Sequence, residues 1–159
     1  MSENGSFVVA IVDDEPMVTQ SIKNFLSLET DYEILSFNSP QEALETLKDR
    51  PVDVIISDYL MPDINGIELL LQLKEIQPQA TRILLTGYAD KENAIKAIND
   101  VGLYQYIEKP WENEDLKLII RNGIEKRVLL RRLADKVQEL DKASAELKGV
   151  YSDLLKAFK

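Results

Sequence analysis

The chain has 159 residues, 45% of them hydrophobic, and contains neither cysteine nor histidine. That excludes disulfides, thiolate and imidazole metal ligands, and any histidine-based catalytic triad. The net charge of −9 is uneven: residues 1–125 hold 23 acidic and 10 basic side chains, and residues 126–159 hold 5 and 9, so a strongly acidic body, ill-suited to nucleic acid, carries a mildly basic tail.

The opening "MSENGS" is polar, with no cationic stretch before an apolar one, and does not read as a secretory signal. The nearest apolar run, "FVVAIV", falls far short of the ~20 residues that cross a bilayer. A soluble cytoplasmic protein without membrane contact is expected. "FVVAIVDD" (7–14) predicts a first strand. Pro16 suits the first turn of a helix, and Val18, Ile22, Phe25 and Leu26 recur on one helical face. "YEILSFN" (32–38) predicts a second strand. In "SPQE" (39–42), Ser39 is the N-cap, Pro40 follows, and Glu42 sits at the capping-box position.

"VDVIISD" (52–58) predicts the third strand, and Gly66 opens a helix with Leu69, Leu70, Leu73 and Ile76 inward, ended by Pro78. "TRILLTG" (81–87) is the fourth strand. Asp90 can cap a helix with Ala94, Ala97, Ile98 and Val101 on one face, stopped by Gly102. "YQYIEK" (104–109) is the fifth strand, and the last helix begins near Glu112. Alternating strands and helices, with near-continuous apolar runs in the strands, predict a parallel sheet covered on both faces. Right-handed crossovers make it an open, doubly wound α/β fold with its site at the carboxyl ends of the strands.

Those ends deliver Asp13 and Asp14 from strand one, Asp58 from strand three, Thr86 from strand four and Lys109 from strand five. Three carboxylates on one rim repel each other unless a positive charge joins them. With only oxygen ligands available, a hard cation such as Mg²⁺ is the natural counter-charge. Cation, ammonium and hydroxyl together make a cradle for a phosphoryl group, and a carboxylate facing it can become an aspartyl phosphate.

The motifs "VDDE", "SDYLMPDINGIELL", "LLTGYAD" and "YIEKPW", in this order, resemble the receiver domain of two-component response regulators over roughly residues 6–125. The resemblance implies a flavodoxin-like five-stranded sheet in the order 2-1-3-4-5. It implies that Asp58 is the phosphoacceptor. Asp13, Asp14, Asp58 and the backbone carbonyl of Leu60 would be the Mg²⁺ ligands, Lys109 the partner of the phosphoryl oxygens, and Thr86 and Tyr106 the switch pair. Pro110 would follow a cis peptide bond. The donor would be a sensor histidine kinase or phosphotransfer protein, which accounts for a chain without histidine of its own.

Three other phosphate folds fit less well. A flavodoxin needs a Ser/Thr/Gly-rich first loop, where this chain has "DDEPM". The haloacid-dehalogenase D-x-D is replaced by adjacent aspartates, and no P-loop motif is present. A Mg²⁺-dependent phosphatase using the same acidic rim, or a dimerisation module whose receiver no longer signals, stays open as an alternative.

After Ile124, no proline interrupts "EKRVLLRRLADKVQELDKASAELKGVYSDLLKAFK". Leu130, Leu133, Val137, Leu140, Ser144, Leu147, Tyr151, Leu154 and Phe158 alternate at spacings of three and four, a heptad seam. Lys136 and Asp141 form a g-to-e pair suited to a parallel dimer. A lone amphipathic helix is marginal in water. The long, narrow seam favours a homodimer through 130–158 over a helix folded back on its own domain. The expected division is therefore a receiver domain, 1–125, and a coiled-coil extension, 126–159, continuous with the last receiver helix.

Overall fold

The computed structural model describes residues 6–157. Strands β1 (Val8–Val12), β2 (Glu33–Phe37), β3 (Val54–Asp58), β4 (Thr81–Thr86) and β5 (Gln105–Glu108) alternate with helices α1 (Pro16–Glu29), α2 (Pro40–Leu47), α3 (Gly66–Ile76), α4 (Lys91–Ala97) and α5 (Asn113–Ala157). All strand pairs are parallel, in the order β2-β1-β3-β4-β5 expected of this sheet. Every residue of β1, β3 and β4 is buried, as in a sheet covered on both faces. Aliphatic side chains of the strands meet Leu47 of α2 and Leu69, Leu70 and Leu73 of α3 in one apolar cluster.

Local chemistry sets the helix starts. Pro16 occupies the first turn of α1. Ser39 Oγ accepts the Glu42 N–H at 3.3 Å to cap α2, and Asn65 Oδ1 accepts the Glu68 N–H at 2.9 Å to cap α3. Gly66 is required where α3 meets the end of β3, because an added Cβ would collide with the Asp58 carbonyl oxygen.

Two expectations differ: Ile76, expected inward on α3, is 38% exposed at the helix end, and the fourth helix is not one regular helix. The fourth helix is composite: a 3₁₀ turn (Tyr88–Asp90), then α4, then a π-helical turn (Ile98–Gly102). The buried Arg82 of β4 explains the ending, since its guanidinium donates to the carbonyls of Val101 (3.2 Å) and Gly102 (3.4 Å), and Gly102 takes a φ of 69°. Ala94 and Val101 are buried as expected, whereas the side chains of Ala97 and Ile98 lie outside what is described.

Two compact units divide the chain, one up to Arg127 and one from Val128. Within the first, the early turns of α5 are fastened to the sheet edge opposite the acidic rim. Thr81 Oγ1 donates to the Gly123 carbonyl at 2.8 Å, and Arg127 Nε lies 3.6 Å from the buried Asp53 carboxylate. The second unit is helical through Ala157, with its seam side chains exposed, and Phe158, the last expected seam residue, lies outside the described residues. Among the described residues no helix is long and apolar enough to cross a membrane.

Candidate functional site

The site forms where β1, β3, β4 and β5 end. Asp13 extends the β1 ladder, its N–H donating to the Phe37 carbonyl at 3.1 Å. Its carboxylate accepts the Glu15 N–H at 2.9 Å, which turns the side chain toward the rim. Asp58 is the last residue of β3 and is only 5% exposed. The Tyr59 N–H donates to the Leu85 carbonyl at 2.9 Å, and the Gly66 N–H to the Tyr59 carbonyl at 2.8 Å, so backbone on both sides fixes the strand end. Carboxylate oxygens of Asp13, Asp14 and Asp58 all lie within 4.8 Å of one another.

Lys109 supplies the positive charge. Its N–H donates to the Thr86 carbonyl at 2.8 Å, so the β4–β5 register carries it to the rim, and the peptide bond to Pro110 is cis. Its ammonium lies 2.8 Å from Asp58 Oδ1 and 3.5 Å from Asp13 Oδ2. One lysine facing three carboxylates leaves the rim net negative. Burial pushes Asp13 up to about 6; the Glu15 N–H opposes that, and the charges of Asp58 and Asp14 add to it. Burial also raises Asp58, against the hydrogen bond and charge of Lys109. Burial works to lower Lys109, but its bond to Asp58 and the two carboxylate charges outweigh that and hold it above the usual lysine value. Three close carboxylates, two of them buried and held above their ordinary values, form an all-oxygen donor set that fits a hard divalent cation.

Thr86 ends β4, fully buried, and its Oγ1 finds no hydrogen-bond partner among the described residues. A buried hydroxyl without a partner costs stability. Tyr106 of β5 pairs with Leu84 in the ladder and packs half-buried against the apolar cluster. Leu60 lies in the loop after β3 with its side chain exposed.

The rim thus brings Asp13, Asp14, Asp58, Thr86 and Lys109 to one edge, with Tyr106 two ladder positions before the β4 end and Leu60 in the adjoining loop. Asn38 escaped the sequence reading. Its Nδ2 donates to the Asp13 carbonyl at 2.9 Å and to Thr19 Oγ1 at 3.0 Å, tying the loop that carries both acidic residues to β2 and α1. No motif marks it, because its partner is 25 residues away in sequence.

The hydrogenase transcriptional regulatory protein HoxA of Cupriavidus necator is 36% identical over 117 residues, 74% of this chain and 24% of HoxA. The C4-dicarboxylate transport transcriptional regulatory protein DctD of Pseudomonas aeruginosa is 32% identical over 149 residues, 92% of this chain and 30% of DctD. The chain therefore spans under a third of either relative's length. The crystal structure of a response regulator receiver domain protein from Clostridium thermocellum superposes with a TM-score of 0.73 at 34% identity, covering 78% of this chain and 98% of that one. Residues 9–121 match the model of the response regulator receiver domain, and the chain belongs to that family.

Proposed function

We propose that the chain relays a signal by accepting a phosphoryl group on Asp58 from the phosphohistidine of a sensor kinase or phosphotransfer protein. A carboxylate oxygen of Asp58 attacks phosphorus in line, the P–N bond to the donor imidazole breaks, and the leaving nitrogen takes up a proton. The observation that carries this reading is the fixed, buried position of Asp58 at a strand end, 2.8 Å from Lys109 and beside two further carboxylates. Asp13, Asp14, Asp58 and the Leu60 carbonyl are the residues that would hold Mg²⁺; when bound it supplies positive charge that offsets the carboxylates and the transferring oxygens. Lys109 binds a phosphoryl oxygen and keeps Asp58 ionised and oriented.

Thr86 acts as the switch hydroxyl. Its partnerless Oγ1 gains an acceptor once Asp58 carries phosphoryl oxygens. Tyr106 then turns into the space that Thr86 leaves, changing the face made by α4, β5 and α5, where Ile95 and Leu118 are exposed. The receiver occupies 1–125 and passes its state to the helical extension, 126–159, which pairs with a second copy through its seam. The cytoplasm is the compartment that suits this relay. No nucleic-acid contact is assigned to these residues, whose receiver part is strongly acidic.

The test is incubation with Mg²⁺ and acetyl phosphate, with and without chelator, read by intact mass. A single, Mg²⁺-dependent phosphoryl adduct supports the reading. Steady turnover of small phosphoesters without an adduct supports a phosphatase instead.

A further inference from the structure

The extension carries an apolar face wider than the two-per-heptad seam of a paired coil. With Leu130 at position a and Leu133 at d, the flanking g and e positions are ordinarily charged. Here three of them are large and apolar: Leu129, Val150 and Leu155, exposed by 62%, 56% and 51%. Two more are Ala134 and Ala143, and only Lys136, Asp141 and Lys148 are charged among the flanks from 129 to 155. The outer b, c and f positions from Arg131 to Lys156 carry no large apolar side chain. The apolar face is therefore broad and one-sided, and the seam is not the narrow one its a and d positions alone imply.

Geometry decides what such a face can bury. In a pair of helices, g and e stand at the rim of the contact and stay half in water. In a four-helix bundle each helix has two neighbours, and both flanks turn inward beside a and d. We propose that the extension gathers four copies of this chain, as two parallel pairs packed flank to flank. The inference rests on the self-pairing reading above and goes beyond it in number and surface.

The occupant of the flank is the chain itself, because the flanks match themselves. The relation that sets Lys136 against Asp141 of a second copy, five residues on, also sets Val150 against Leu155 and Leu129 against Ala134. Of the four flank pairs this relation makes, three are matched, apolar to apolar or charge to opposite charge; the fourth sets small Ala143 against Lys148. Paired helices thus present an apolar edge near each end, with an ion pair and Lys148 between, identical on every pair. Small Ala134 and Ala143 let neighbouring backbones approach.

Sedimentation equilibrium or light scattering of the 159-residue chain tests this, with circular dichroism to confirm helix in each variant. Val150→Lys with Leu155→Glu replaces an apolar flank pair by an ion pair, leaving the a and d seam intact. The expected result is a fourfold mass for wild type, halved by that double variant, and a single-chain mass for Leu140→Lys in the seam. A twofold wild-type mass would overturn the four-chain inference while leaving the pairing reading standing; a single-chain wild type would overturn both. A threefold mass, or a fourfold mass that survives the double variant, would also defeat the flank assignment.

Discussion

The receiver unit and the extension use the same aliphatic residues to opposite ends. In the receiver, Leu69, Leu70, Leu73 and Leu84 have no exposure at all, whereas in the extension Leu133, Leu140 and Leu147 are each more than 60% exposed. A sheet between two helical layers closes its own core and gathers its buried carboxylates at the strand ends. A single helix cannot enclose an apolar face, and its leucines stay exposed in one chain. The first unit thus closes its core within one chain, while the proposal for the second is that association covers its face.

The sharpest way to break this comparison is at Asp58. Asp58→Asn is expected to abolish phosphoryl incorporation while leaving the fold and the helical pairing intact, read by intact mass and circular dichroism. Lys109→Met comes next: losing the ammonium that sits 2.8 Å from Asp58 should slow phosphorylation by about a hundredfold, measured as adduct formation against time. In the receiver, Leu70→Ala should cost about 2–5 kcal/mol of unfolding free energy, independent of protein concentration. The matching Leu147→Ala should change stability in a concentration-dependent way, which denaturant melts at two concentrations would separate.

Smaller effects sharpen the site. Thr86→Val removes a buried hydroxyl that has no partner among the described residues, so the unphosphorylated protein should be unchanged or more stable by up to about 1 kcal/mol. Its response to phosphorylation should nevertheless be lost, as read by hydrogen exchange at β5. Asp13, pushed up to about 6, must lose its proton to serve as a ligand. Mg²⁺ affinity should therefore climb as pH rises toward 6 and level off above it. An affinity already level at pH 5, followed by the fluorescence of Trp111, would contradict that assignment.

Much of this was legible in the sequence. Apolar runs ending in Asp13, Asp58, Thr86 and Lys109 gave away both the sheet and its working edge, because strand and chemistry meet at single residues. Boundaries were less so: "FVVAIVDD" reads as one strand, yet β1 spans Val8–Val12, with Asp13 adding one further backbone bond to Phe37 while its carboxylate accepts the Glu15 N–H. The π turn after α4 was hidden, since it answers to Arg82 reaching Val101 and Gly102 from another strand. Asn38 and the Asp53–Arg127 pair were hidden for the same reason: their partners are distant in sequence and no local pattern encodes them. The breadth of the extension's face escaped a reading confined to a and d, though Val150 and Leu155 were in plain view.

The central claim is that the rim serves phosphorylation of Asp58 to an acyl phosphate. Its most direct test is to phosphorylate the wild-type chain with Mg²⁺ and a small phosphodonor, trap the acyl phosphate by hydride reduction, and locate the reduced residue by peptide mass spectrometry. The account predicts one modified side chain, at position 58. Modification at Asp13 or Asp14, or none under conditions that label other receivers, would contradict it.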